Sequence, residues 1–120
     1  MKAIIYHNPA CGTSRKTLAI LEAVPGIDLT VIEYLNSPPT RERLVALYAR
    51  AGLTARQGLR TTNSPAAELC AELGLLDPAT TDDQILDAMM VHPALIQRPL
   101  VETAKGVRLC RPPESVNDVI

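Results

Sequence analysis

The chain has 120 residues, and its 12 lysines and arginines against 13 acidic residues give a net charge of −1. Hydrophobic residues make up 47% of it and there is no Trp or Phe, so the sequence predicts one globular domain with an aliphatic core. The balanced charge argues against nucleic acid or an acidic membrane surface as a partner, and no apolar run approaches the roughly 20 residues that cross a bilayer.

The first element is a strand over residues 2–6, ended by the turn residues His7-Asn8-Pro9. From Thr13 the apolar spacing becomes helical, and Pro25-Gly26 ends the helix. The β-branched run Leu29–Tyr34 predicts a second strand. Two strands joined through a helix form a βαβ unit, which indicates that they pair in parallel.

The apolar spacing over residues 40–92 predicts three helices with no strand between them. The second of these is predicted to begin at Ser64 as its N-cap, with Leu69 and Leu73 facing the same way. The third begins at Thr81-Asp82-Asp83-Gln84, where Thr and Gln have the spacing of a capping box.

The chain ends in two strands, Leu100–Thr103 and Val107–Cys110, joined at Gly106 by a hairpin connection. The whole is an α/β pattern: a βαβ unit, a helical block and a β-hairpin. That pattern predicts a four-stranded mixed sheet and the thioredoxin-like fold. Within one domain over 1–120, the thioredoxin-like core would comprise 1–36 and 94–120, and a helical insertion 37–93.

Three cysteines and no export signal predict a cytoplasmic protein without a disulfide scaffold, and their spacing does not fit a zinc site, so no metal is expected. One reactive thiol and two structural ones is the simplest division. Cys70 lies among apolar helical residues, and Cys110 ends a strand; for both, a buried small apolar side chain is the expected role.

Cys11 stands where the first strand has ended and the first helix is about to begin. A helix N-terminus offers unpaired N–H groups and the positive end of the dipole, both of which favour the nucleophilic thiolate. Gly12 lets the backbone approach an anion closely, and Thr13 and Ser14 can cap the helix or donate to an oxyanion. The alternative is a buried structural cysteine beside a Ser or Thr cap.

Two residues that are missing near Cys11 limit the reactions that its thiol can carry out. Position 14 is Ser, so no C-x-x-C dithiol exists here and electrons must come from elsewhere. Position 17 is Thr, so the Cys-x5-Arg loop of phosphatases is absent and an anion would need arginines from distant segments. The candidates, each of which can also be a solvated surface charge, are Arg60, Arg98 and Arg111.

Four segments, His7–Arg15, Arg60, Ile96–Pro99 and Arg108–Pro112, resemble the glutaredoxin-linked arsenate reductase family (ArsC-type) in order and spacing. The resemblance implies that Cys11 is the nucleophile, that Arg60, Arg98 and Arg111 bind the arsenic oxyanion, and that His7 and Ser14 support the thiolate. It also implies a thioredoxin-like fold, in which a cis-proline commonly faces the active cysteine; Pro99 holds that position.

The same resemblance implies arsenate as substrate, glutathione as co-substrate and glutaredoxin as partner, with no tightly bound cofactor. A helix N-terminus lowers the pKa of a thiol by only about one pH unit. It cannot also offset the repulsion between a thiolate and an arsenate dianion, so several guanidinium groups are needed near Cys11. Arg60 lies in a polar loop that we expect to be mobile and able to swing out when no anion is bound.

Three other functions fit part of the pattern. A monothiol glutaredoxin-like redox or iron–sulfur carrier would share Cys11 to Ser14 without needing all three arginines. A Spx-type transcription regulator, which binds RNA polymerase, has a related fold but commonly a C-x-x-C switch. A family member with altered oxyanion specificity is the third.

Overall fold

The computed structural model describes all 120 residues, Met1–Ile120. The chain forms two compact units: residues 1–38 together with 98–120, here the sheet unit, and residues 39–97, here the helical unit. The longest helices have 11 residues, so none of them spans a membrane.

The sheet unit contains the helix α1, Gly12–Glu22, and four strands: β1, Lys2–His7, β2, Asp28–Glu33, β3, Leu100–Thr103, and β4, Gly106–Leu109. The strands lie in the order β2-β1-β3-β4. The strands β1 and β2 are parallel, whereas β3 is antiparallel to both β1 and β4, which confirms the mixed sheet predicted from the sequence.

The sheet register brings three distant segments to one edge. Tyr6, near the end of β1, pairs with Leu100 at the start of β3, and Leu100 pairs with Leu109 at the end of β4. The Cys110 N–H also donates to the Pro99 carbonyl at 2.9 Å. The loop after β1, the residues before β3 and those after β4 therefore meet at this edge, because antiparallel neighbours place start beside end.

The core of the sheet unit is aliphatic, as the composition predicts. Side chains from both sheet and helix are fully or almost fully buried in it: Ala3, Ile5, Leu21, Val101, Cys110, Val116 and Val119. The peptide bond between Arg98 and Pro99 is cis, which confirms the expectation for Pro99, and the bonds before Pro65 and Pro112 are cis as well.

The helical unit contains α2, Arg41–Ala51, α3, Ala66–Leu73, and α4, Asp82–Val91, followed by a short 3₁₀ turn at Pro93–Leu95. A second 3₁₀ segment, Pro113–Asp118, belongs to the sheet unit. The predicted capping box is present: the Thr81 hydroxyl accepts from the Gln84 N–H at 3.2 Å, and the Gln84 amide oxygen accepts from the Thr81 N–H at 2.9 Å.

One expectation for α3 is wrong: its N-cap is Pro65 and not Ser64. The buried face of α3 carries Ala66 and Cys70, whereas Leu73 is 46% exposed. Both Ala66–Cys70 and Leu69–Leu73 have the i, i+4 spacing of a helix face, so spacing cannot choose between them. The structure buries the pair with the smaller side chains.

Candidate active site

Cys11 is the N-cap residue of α1, with extended backbone angles of φ −95° and ψ 121°. Its N–H donates to the Asn8 carbonyl and its own carbonyl accepts from the Arg15 N–H, both at 3.0 Å. The sulfur does not complete a capping hydrogen bond by strict geometry, but the Ser14 N–H is close enough to favour the thiolate. Cys11 holds the N-cap position, so neither Thr13 nor Ser14 caps the helix, which is one of the two roles expected for their hydroxyls.

Asn8 shapes this loop, a role that the sequence analysis missed. Its side-chain oxygen accepts from the Ala10 N–H at 2.9 Å, and its own N–H donates to the Ser14 hydroxyl oxygen at 3.1 Å. Asn8 is buried. An Asn followed by Pro is a recognisable signal for such a turn, since the Asn side chain bonds the backbone two residues on.

His7 and Ser14 form one buried pair, in which His7 Nδ1 and Ser14 Oγ are 2.6 Å apart. Burial lowers the pKa of His7, and the Arg15 charge acts in the same direction against two nearby glutamates. Burial therefore favours the neutral form of the imidazole. Because Ser14 Oγ also accepts from the Asn8 N–H, the pair ties the end of β1 and the loop after it to the first turn of α1.

Arg98 and Arg111 both reach Cys11. The Arg111 guanidinium donates to the Cys11 sulfur at 3.7 Å, and the same nitrogen donates to the Arg98 carbonyl at 3.1 Å. The Arg98 guanidinium also lies close enough to the sulfur to lower the pKa of the thiol. The edge of the sheet thereby gathers two of the three predicted arginines around one thiol, and the Arg98 backbone orients Arg111.

The surroundings of Cys11 favour its thiolate. Burial alone would raise the pKa of Cys11, but the Ser14 N–H and the Arg98 and Arg111 guanidinium groups outweigh it and lower the pKa from 9.0 to about 7. About half of the molecules therefore carry a thiolate at neutral pH. The helix N-terminus acts together with the arginines, as the charge argument expects.

The other two cysteines have the opposite character. Cys70 and Cys110 are fully buried, and their thiols donate to the carbonyls of Arg60 and Arg108. Burial raises the pKa of Cys70, and it raises that of Cys110 to about 12. Both are thus un-ionised at physiological pH, and their burial confirms the expectation for each.

Arg60 lies in the helical unit and is only 7% exposed, so it is not swung into solvent as expected for its loop. Its guanidinium donates to the Gln97 side-chain oxygen at 2.9 Å. The convergence of Arg60 on Cys11 stays a prediction, as do the anion contacts of Gly12 and Thr13. A Cβ at Gly12 would meet only the end of the Arg15 side chain, at 3.7 Å.

The pKa values predict that Cys11 alone reacts with iodoacetamide near neutral pH. Thiolate is the reactive form, so the rate should rise through a midpoint near pH 7 and level off above pH 8. Mass spectrometry of the modified protein would identify the labelled cysteine at each pH. A midpoint above pH 8.5, or labelling of Cys70 or Cys110 in the folded protein, would contradict this assignment.

Comparison with known proteins gives consistent matches along the chain. The model of the ArsC family matches residues 6–119. The arsenate reductase of Rhizobium meliloti is 53% identical over 120 residues, which is all of this chain and 82% of that protein. The arsenate reductase of Escherichia coli K12 is 48% identical over 116 residues, or 97% of this chain and 79% of that protein.

The fold has a solved counterpart as well. The structure of an arsenate reductase from Vibrio cholerae superimposes with a TM-score of 0.89 at 42% sequence identity, covering 100% of this chain and 98% of that one.

Proposed function

The chain belongs to the ArsC family, and we propose from this premise that it is an arsenate reductase in which the Cys11 thiolate attacks the arsenic atom. The assignment rests on one observation: two guanidinium groups lie close to a single ionisable thiol. The chain around that thiol matches the family over residues 6–119.

In the first step the Cys11 thiolate attacks arsenate and a bond from arsenic to oxygen breaks. The thiolate, the hydrogen arsenate dianion and two protons give a singly protonated sulfur–arsenic(V) ester and water, so neither partner changes oxidation state. The leaving oxygen must depart as water, and a proton has to reach it. The lowered pKa supports this role, since about half of Cys11 is already nucleophilic at pH 7.

In the second step a thiol supplies two electrons. Glutathione attacks, arsenite leaves with the electron pair, and Cys11 remains as a mixed disulfide with glutathione. Glutaredoxin then removes the glutathione and restores the thiol. An outside donor is required because Ser14 occupies the place of a second cysteine, and Cys70 and Cys110 are buried free thiols.

Charge balance supports the same arrangement. A thiolate with an arsenate dianion carries three negative charges, which Arg60, Arg98 and Arg111 would balance. Guanidinium groups suit the task because each presents a planar fork of donors to an oxyanion. Arg98 and Arg111 already reach the sulfur, and Arg60 completes the set in this proposal.

No tightly bound cofactor enters this cycle, because glutathione acts as a co-substrate. A reaction that consumes reduced thiols belongs in a reducing compartment, so we place the protein in the cytoplasm.

The test is arsenate-dependent oxidation of NADPH, coupled through glutathione, glutaredoxin and glutathione reductase. We expect turnover that requires arsenate, glutathione and glutaredoxin together, with arsenite formed in proportion to NADPH consumed. A redox carrier or a transcription regulator would show no dependence on arsenate. Turnover supported equally well by thioredoxin without glutathione would contradict the proposed electron donors but not the reductase activity.

A further inference from the structure

The loop that carries Arg60 is joined to the segment before Arg98 by a short antiparallel ladder. The Arg60 N–H donates to the Leu95 carbonyl at 2.8 Å, and the Gln97 N–H donates to the Gly58 carbonyl at 2.9 Å. Between these bonds, Leu59 and Ile96 form an isolated antiparallel bridge, and both are buried. The backbone therefore fixes the register of residues 58–60 against residues 95–97.

Gly58 anchors this ladder from the other side. A Cβ at Gly58 would overlap the ring of Tyr48, 2.7 Å from its Cε1 atom, so only glycine fits without displacing the ring. The Tyr48 hydroxyl also donates to the Gly58 carbonyl at 3.3 Å. Arg60 thus projects from a segment held on both sides.

The ladder brings the side chain of Gln97 onto the guanidinium of Arg60. Arg60 Nη1 donates to Gln97 Oε1 at 2.9 Å, and Arg60 is more than nine-tenths buried. A neutral amide oxygen can take one of the five N–H donors of a guanidinium without cancelling its positive charge. A carboxylate in the same place would orient the group but neutralise it.

We propose that Gln97 is a positioning residue for oxyanion binding: it orients the Arg60 guanidinium for arsenate without itself neutralising the charge. The inference rests on the proposed function, since it assumes that Arg60 binds the substrate anion. The uncharged Gln97 side chain would thereby contribute to the binding of a doubly charged anion.

The test is steady-state kinetics of Gln97→Met with arsenate as the varied substrate. Methionine keeps the length of the side chain and removes the acceptor. We expect KM for arsenate to rise about tenfold, because the charge-assisted hydrogen bond that orients Arg60 is lost. The change in kcat should stay below about twofold, because the bond affects binding and not the chemical step. Gln57→Met is the matched control, since the exposed Gln57 only caps Thr54 in the same loop.

A double-mutant cycle with Arg60→Ala separates positioning from a structural role. If Gln97 acts through Arg60, Gln97→Met should add nothing to KM in the Arg60→Ala background. A further tenfold rise in that background, or an unchanged KM in Gln97→Met alone, would overturn the inference. A wild-type KM in Arg60→Ala alone would instead show that Arg60 does not bind arsenate, which contradicts the proposed site itself.

Gln97→Glu keeps the test decisive if the Met variant does not fold. Glutamate preserves size and acceptor but adds a negative charge beside Arg60. KM for arsenate should then rise more than in Gln97→Met, and the rise should be smaller in the Arg60→Ala background. An unchanged KM in Gln97→Glu would also overturn the inference.

Discussion

Replacing Cys11 with Ser is expected to reduce the arsenate reductase activity at least about 1,000-fold, because the nucleophile of the reaction is lost. A serine hydroxyl has nearly the same size and can occupy the N-cap of α1, so the fold should persist. It does not ionise near neutral pH, however, and the two arginines cannot make it a thiolate. The coupled NADPH assay with arsenate measures the loss directly.

Cys70→Ser and Cys110→Ala are the matched controls for this experiment. Both thiols are buried and have raised pKa values, so neither contributes a thiolate at pH 7. We expect each variant to keep most of its kcat, with a lower melting temperature as the main effect. Activity of the Cys11 variant close to the wild-type rate, or its disappearance with either control, would show that the nucleophile is misassigned.

Removing Arg98 or Arg111 should destabilise the Cys11 thiolate and also weaken the binding of arsenate. Hydrogen bonds from a charged group contribute about 1.5–3 kcal/mol, so Arg98→Ala and Arg111→Ala should each lower kcat/KM for arsenate roughly 10- to 150-fold. The guanidinium charges lower the pKa of Cys11. Their removal must therefore raise that pKa, which decreases the thiolate fraction at pH 7.

The iodoacetamide midpoint measures this second effect separately. It should move from near pH 7 towards 9.0, and further for Arg98→Ala than for Arg111→Ala, since Arg98 lowers the pKa of Cys11 more strongly than Arg111 does. Arg108→Ala is the control, because that side chain is 49% exposed and pairs with Asp118 at 3.1 Å. A midpoint that stays near pH 7 without Arg98 would refute its electrostatic role.

Local spacing was sufficient for most elements of the fold. The capping box at Thr81, the turn at Gly106 and the helix beginning beside Cys11 depend on residues within a few positions of one another. Such short-range hydrogen bonds and dihedral preferences form in nearly the same way in any fold, so sequence reveals them. For the same reason the helix start and its polar neighbours make Cys11 the candidate nucleophile, although the sequence leaves a structural cysteine open as the alternative.

Tertiary packing determined the contacts and buried faces that the spacing of residues along the sequence does not specify. The face of α3 that is buried, the inward turn of Ser14 and the bond from Gln97 to Arg60 each depend on which surface a partner segment presents. Arg98 and Arg111 were candidates from sequence, but their arrangement follows from the sheet register, which sets the start of β3 beside the end of β4. A one-dimensional pattern identifies chemical groups, whereas their mutual distances arise only when antiparallel pairing and burial fix the chain in space.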